Sequence, residues 1–473
     1  LESPEYNANA RSAQLPGLVT GVNCALHQTP SKGDGFMLRA LFFGLAIAAV
    51  PVISGCASQP PKDPNGRAMD PVAEDYVKLV LAMGELDPGY VDAYYGPADW
   101  QKAVAAQHWS PQVIAARAES ARTRLAALDE DDAPAVVQDR KAFLDKQLEA
   151  LIAYAKLLGG SEMTFDEQAK KLYDATPPHY SADHFRTILA QLDKLLPGTG
   201  DLATRYANYR KHFVIPTSRL DDVFDAAINE ARQRTHQHIH LPPQERFKVE
   251  YVTDKPWSGY NWYKGDAYSV IQINTDLPIH IERAIDLAAH EGYPGHHVYN
   301  TLLEQHMVRQ RGWVEFSVYP LYSPQSLIAE GSANFGVDVA FPGASRLAFD
   351  HGVLFPLAGL DPATAQRYLQ IRDRVRQLSY AINEAARGYV DGTMTHDQII
   401  HWLETYALKS PAEARHSLRF IEKYRAYVIN YNYGQDLVRH YVNDQGGTAD
   451  RPEKRWEVFA DLLSAPRTPS MLR

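Results

Sequence analysis

His290-Glu291-Gly292-Tyr293-Pro294-Gly295-His296-His297 gathers three imidazoles and a carboxylate into eight residues. Those are the side chains of a hydrolytic zinc site. In the zincin pattern His-Glu-x-x-His, the i, i+4 spacing puts both ligand rings on one helix face and leaves the Glu to move protons. Here Pro294 stands where the second His would be. On an uninterrupted helix His296 points about 240° away from His290, and His297 lies roughly 10 Å further along. Neither placement lets two nitrogens share one ion at about 2.1 Å. A shared metal therefore requires a broken helix, which Gly292, Pro294 and Gly295 permit. A bulge of two residues brings His296 into the i+4 slot, and one of three brings His297. His296 is the preferred second ligand and His297 the alternate. The competing reading is a helix corner carrying incidental histidines.

A third ligand is expected downstream. Ser323-Pro-Gln-Ser-Leu-Ile-Ala-Glu330-Gly-Ser-Ala-Asn-Phe-Gly336 reads as a helix start with an acidic residue among small neighbours. Small residues let one helix pack closely on another, so Glu330 is a candidate ligand beside His290 and His296. Alone, it would pass for a charge favoured by the helix macrodipole.

These two segments, HEGYPGHH and Glu330-Gly331-Ser332-Ala333, resemble the bacterial domain-of-unknown-function 885 family, many of whose members look like lipoproteins. That family is similar in outline to helical Glu-zincins such as carboxypeptidase Taq, angiotensin-converting enzyme and the oligopeptidases. The match extends over most of the chain after about residue 70, with its specificity concentrated in 290–297 and 330–333. The resemblance implies His290, one of His296 and His297, and Glu330 as metal ligands, with Glu291 as general base. Many members carry a Pro-Gly-Gln segment before a C-terminal Tyr. Here the nearest counterpart is Tyr431-Asn-Tyr433-Gly-Gln435, in a different order.

The elements that must position these residues are mainly helical. Helical periodicity runs through 72–86, 111–127, 133–158, 182–195, 219–236, 279–289, 362–383 and 411–428. Several starts carry Pro at the first turn, as in Ser110-Pro111, Asp361-Pro362 and Ser410-Pro411. The exception is 245–276, where 245–252 and 267–274 alternate as strands. They suggest a β-hairpin beside the metal-binding helix, able to offer an edge to an extended peptide. Trp257, Trp262 and Tyr263 lie in the turn-rich stretch between them and are read as core or as a side-chain pocket.

The start of the chain reads as an address. From Met37 a positive residue, Arg39, precedes an apolar run ending in Ile53-Ser54-Gly55-Cys56, a lipobox with Cys56 as the residue to be lipidated. Residues 1–36 are expected to be an upstream extension, 37–55 a lipoprotein signal peptide and 56–70 a lipidated Cys with its Pro-rich tether. Residues 71–473 form the helical domain. The residues after Cys56 favour the periplasmic face of the outer membrane, with attachment to the membrane through the lipid. Only two cysteines exist, Cys24 and Cys56, so no disulfide holds the domain and its core must do so. A net charge of −9 without a Lys/Arg stripe gives no support for nucleic-acid binding.

Two further groups carry candidate chemistry. His236, His238 and His240 form a second imidazole cluster, read as surface histidines rather than ligands. Near the C-terminus, Tyr427, Tyr431 and Tyr433 accompany Arg419 and Arg425. A phenol there would stabilise the oxyanion of a tetrahedral intermediate; Tyr431 is the first candidate and Tyr433 the next. The resulting expectation is a zinc peptidase of the cell envelope. Zn²⁺ is held by His290, His296 and Glu330, Glu291 and Tyr431 are catalytic, and a peptide is the substrate. The alternatives are a lipid-anchored binding protein with a vestigial site, or a hydrolase of another amide or ester.

Overall fold

Seven of the helical stretches expected from periodicity are present, several with sharp starts. A computed structural model describes residues 65–255 and 257–473, all within one unit, Gln59–Arg473. The expected signal peptide, Cys56 and most of its tether lie outside the described residues. Helices run over Asp70–Leu86, Pro111–Ala126, Ala135–Leu158, Ala182–Leu195 and Leu220–His236. Ser110 caps its helix by accepting from the Val113 N–H, and Ser410 and Thr395 form capping boxes with Glu413 and Gln398. The continuous helix expected over 362–383 is instead two, Ala365–Arg376 and Tyr380–Val390. The one expected over 411–428 ends at Tyr424 and passes into a 3₁₀ turn, Arg425–Val428. Helix dominates throughout, so the chain is mainly α with small sheets. No helix among the described residues is long and apolar enough to cross a membrane.

The sheets differ from the expected hairpin. Strands β1 (Val91–Tyr94), β2 (Arg246–Val252), β3 (Gly259–Tyr263), β4 (Tyr268–Asn274) and β5 (Val318–Pro320) form two sheets. β2 and β4 pair in parallel, Arg246 opposite Tyr268 through Val252 opposite Asn274. The turn-rich stretch between them is itself a strand, β3, antiparallel to β4 and at the sheet's edge. β3 turns back into β4 at Lys264–Ala267, where Gly265, Asp266 and Ala267 all take positive φ. β1 pairs with β5, tying the N-terminal helices to the segment just before Glu330.

Two helices form the other wall. Pro324–Ala340 is buried almost all round because Ala329, Gly331, Ser332, Ala333 and Gly336 let neighbours approach from every side. Ile429–Asp444 packs against it, with Gly331 and Gly434 at the crossing. A Cβ on Gly331 would stand 2.5 Å from the Gly434 carbonyl group, so only glycine allows the two backbones this close.

Candidate metal centre

The helix leading to the histidines widens before it breaks. Glu282–Leu287 is α-helical, and Ala288–Gly292 continues as a π-turn. The Tyr293 N–H donates to Ala288 O at 3.0 Å and the Gly295 N–H to Ala289 O at 2.9 Å, five and six residues back. The peptide between Tyr293 and Pro294 is cis. Gly295 lies so close to the helix end that a Cβ would fall 1.8 Å from His290 O. A new helix starts at His296. The break thus folds the chain back by the two residues that bring His296 beside His290.

Three donor atoms converge there. His290 Nε2 and His296 Nε2 are 3.1 Å apart, and Glu330 Oε2 lies 3.2 Å from the first and 3.7 Å from the second. Donors about 2.1 Å from a tetrahedral zinc stand about 3.4 Å from one another. Glu330 Oε2 is buried and faces no group but the two imidazoles, although its twin Oε1 accepts from the Tyr427 hydroxyl at 2.8 Å. A buried carboxylate oxygen facing two imidazole nitrogens calls for a cation. His290, Glu291 and His296 also offer donor atoms within 4.8 Å of one another, so two carboxylates border the centre. Glu330 suits the ligand role better, since its free oxygen closes the triangle with both rings.

The tautomer of His290 is fixed from outside. Asn334, one turn after Glu330 on the same helix face, spends its amide N–H on Tyr431 O at 2.9 Å. Its Oδ1 therefore faces His290 Nδ1 at 3.1 Å and must receive a proton from it. That leaves the lone pair of Nε2 directed at the centre, the usual arrangement around a metal-binding His. The electrostatics also ask for positive charge. Burial pushes the His296 imidazole down, but Glu330, Glu291 and Asp92 more than offset this and raise it to about 9. Asp92 on β1 shares the site: burial pushes its carboxyl up to about 7, His296 opposes this, and Glu330 and Glu291 add to it.

Glu291 is buried at the other side of the centre. Gly259, at the start of edge strand β3, passes so near that a Cβ would stand 3.0 Å from Glu291 Oε1. Asn261 of the same strand donates to Glu291 O at 2.7 Å. The Tyr260 hydroxyl meets Asp92 across the cleft. β3 is therefore tied to the backbone of Glu291 and to Asp92.

His297 turns away. It is fully buried, with Nδ1 2.9 Å from Ser269 Oγ and Nε2 3.1 Å from Glu245 Oε2. Glu245 also accepts from the Tyr293 hydroxyl at 2.6 Å and from Arg232 at 2.6 Å. Burial raises its pKa, but His297, Tyr293 and Arg232 together hold it well below the usual carboxylate range. This network braces the turn from behind. The second imidazole cluster splays apart: His236 reaches Glu245 at 3.0 Å, while His238 stacks on Trp456 and lies 3.3 Å from Glu453.

Tyr431 stands 37% exposed at the rim of the centre, its ring edge-on to Tyr427 at 5.7 Å. Burial raises its pKa well above the usual phenol value, with Glu330 and Glu291 adding to the shift, so it is a proton donor at neutral pH. Tyr433 is half-buried and packs on the core. Arg419 lies against His416, and Arg425 donates to Gln168 at 3.3 Å, so neither is part of this group. Tyr263 is buried and bonds Glu304, whereas Trp257 and Trp262 are half-buried on the other side of β3. Asn334 and Asp92 are not marked by the sequence, and Tyr427, a candidate phenol there, instead holds Glu330. A polar residue four positions after Glu330 was the only available signal, and it pointed to Asn334 alone.

No family model matches the chain, and no curated protein does. Several solved structures overlap it, among them the following two. A candidate lipoprotein from Colwellia psychrerythraea aligns at 16% identity over 79% of this chain and 71% of its own, with a TM-score of 0.47. A candidate lipoprotein of unknown function from Shewanella oneidensis aligns at 14% identity over 79% and 75%, with a TM-score of 0.42. Overlaps this slight carry no argument about fold or activity.

Proposed function

We propose that the chain is a zinc-dependent hydrolase of the cell envelope, acting on peptides. The supporting observation is the triangle of His290 Nε2, His296 Nε2 and Glu330 Oε2, with sides of 3.1, 3.2 and 3.7 Å and no other partner for the carboxylate oxygen. Zinc bound there would supply a Lewis acid for the scissile carbonyl and would acidify an adjacent water.

The chain's own residues would do the rest. Glu291 would take a proton from water as its oxygen bonds to the carbonyl carbon, and pass that proton to the amine nitrogen as the C–N bond breaks. Tyr431, a donor at the rim, would hydrogen-bond the developing oxyanion. The free edge of β3 would align the substrate backbone beside Glu291. Cys56 would carry the lipid that holds the domain at the membrane.

The test is metal content together with cleavage of a peptide library. The purified chain should hold one zinc and cut peptides, and a chelator should stop it. Glu291→Gln should keep the zinc and lose at least about a hundredfold in turnover. Parental turnover in that variant would remove Glu291 from the mechanism. Stoichiometric zinc with no cleavage would favour a binding protein.

A further inference from the structure

The metal centre is the near end of a longer polar track. On the Pro324–Ala340 helix, Glu330, Asn334 and Asp338 follow one another at i, i+4 and i+8 and share a face. On the Ile429–Asp444 helix, Tyr431, Gln435 and Arg439 do the same. The two rows are joined at each step. Asn334 meets Tyr431 O, Gln435 Nε2 donates to Asn334 O and to Asp338 Oδ2 at 3.2 Å each, and Arg439 reaches Asp338 at 3.2 Å.

The track ends in a cavity of about 740 Å³ lined by Asp338, Gln435, Arg346, Arg372, Arg376 and Arg439, among others. Two of those guanidiniums already hold a buried carboxylate, because Arg346 and Arg372 clamp Asp286 at 2.9 and 2.8 Å. Arg439 is held between Asp436 and Asp338. Arg376 is different. Its nearest partners are Asp338 at 3.4 Å and Gln435 at 3.5 Å, and 37% of its side chain is exposed. A guanidinium has five N–H donors in a planar fork that suits a carboxylate. Arg376 has most of them to spare, at the wall of this cavity, beside Asp338 at the far end of the polar track.

We propose that this cavity is a substrate subsite in which Arg376 binds a carboxylate lying three to four residues from the bond that is cut. The inference rests on the hydrolase reading for the position of that bond. The spacing follows from the helix: Asp338 is eight residues past Glu330, about 12 Å along the axis at 1.5 Å per residue. An extended peptide covers about 3.3–3.6 Å per residue, so about three to four residues bridge the gap. The carboxylate is either the substrate's own C-terminus or an Asp or Glu side chain. In the first case the enzyme removes a short C-terminal piece.

The test is calorimetric binding to the full chain carrying Glu291→Gln and loaded with zinc. One probe pair is an N-acetylated alanine hexapeptide as free acid and as C-terminal amide. A second set is amidated hexapeptides with one Glu, or one Gln, walked through each position. At least about a tenfold preference for the acid over the amide assigns the chain end. A similar preference for Glu over Gln at one position assigns a side chain. Either preference must vanish in Arg376→Gln, with circular dichroism confirming that variant's fold. Equal binding in both sets, or a preference that survives Arg376→Gln, overturns the subsite. Peptide turnover by the unsubstituted chain reports separately on the hydrolase reading, so its failure beside carboxylate-dependent binding would sink that reading alone.

Discussion

The Tyr427 hydroxyl donates to Glu330 Oε1 at 2.8 Å, which leaves Glu330 Oε2 as the oxygen facing His290 and His296. One phenol is thus committed to orienting a ligand, while its neighbour Tyr431 stands partly exposed at the rim. The two tyrosines should separate experimentally. Tyr427→Phe is expected to weaken zinc binding about tenfold. Tyr431→Phe should leave zinc affinity unchanged and lower kcat by about a hundredfold. Chelator competition and steady-state kinetics on both variants check this, and the reverse pattern would exchange their roles.

Asn334 fixes the His290 tautomer. Asn334→Ala removes the acceptor of the His290 Nδ1 proton and should weaken zinc binding by about 10–100-fold. Asn334→Asp keeps an acceptor in place and should stay close to the parental affinity. Equal losses in the two variants would show that the hydrogen bond is not what matters.

The Gly331–Gly434 crossing sets the distance between Glu330 and the tyrosines. Gly434→Ala would bring a methyl to 2.9 Å from Leu327 O. Over-packing of this kind typically costs about 1–3 kcal/mol. The expected result is a lower urea midpoint at an unchanged m-value, accompanied by weaker zinc binding because the helices part.

Asp350 gives a pH dependence. Burial pushes its carboxyl up to about 6, with Arg346 and Arg372 pulling the other way, and its Oδ1 has no partner. The folded pKa lies above the unfolded value of 3.8. Between the two, the folded chain keeps a proton that the unfolded chain has lost, so this group's contribution declines as pH rises from about 4 and levels off above about 6. Asp350→Asn removes the cost of ionisation. It should raise the unfolding free energy by about 3 kcal/mol above neutral pH and leave it unchanged near pH 4. Urea unfolding at both pH values measures it, and a gain of equal size at each would refute the assignment.

Much of the site was legible in local spacing. Pro294 in the i+4 position by itself rules out a regular helix, and the π-turn with its return at Gly295 is that break made explicit. Helix starts at Ser110 and Ser410 were legible for the same reason, since a cap is settled within four residues. The strands 245–252 and 267–274 were found, but their pairing was not. Alternation marks a strand without naming its neighbour, so local pattern cannot tell the parallel pair of β2 and β4 from a hairpin or show that β3 lies beside them.

By itself, then, the sequence determined which side chains form the candidate site, that the helix holding them must break, and that the surrounding domain is helical. Those properties depend on neighbours a few residues apart. Only the tertiary structure decided that His296 turns toward Glu330 while His297 turns toward Glu245, that Tyr427 rather than Tyr431 holds the carboxylate, and that Asn334 orients His290. Each of those choices joins residues that are 34 to 97 positions apart, and the packing of whole helices, including the bare glycine crossing at Gly331 and Gly434, sets which of them meet.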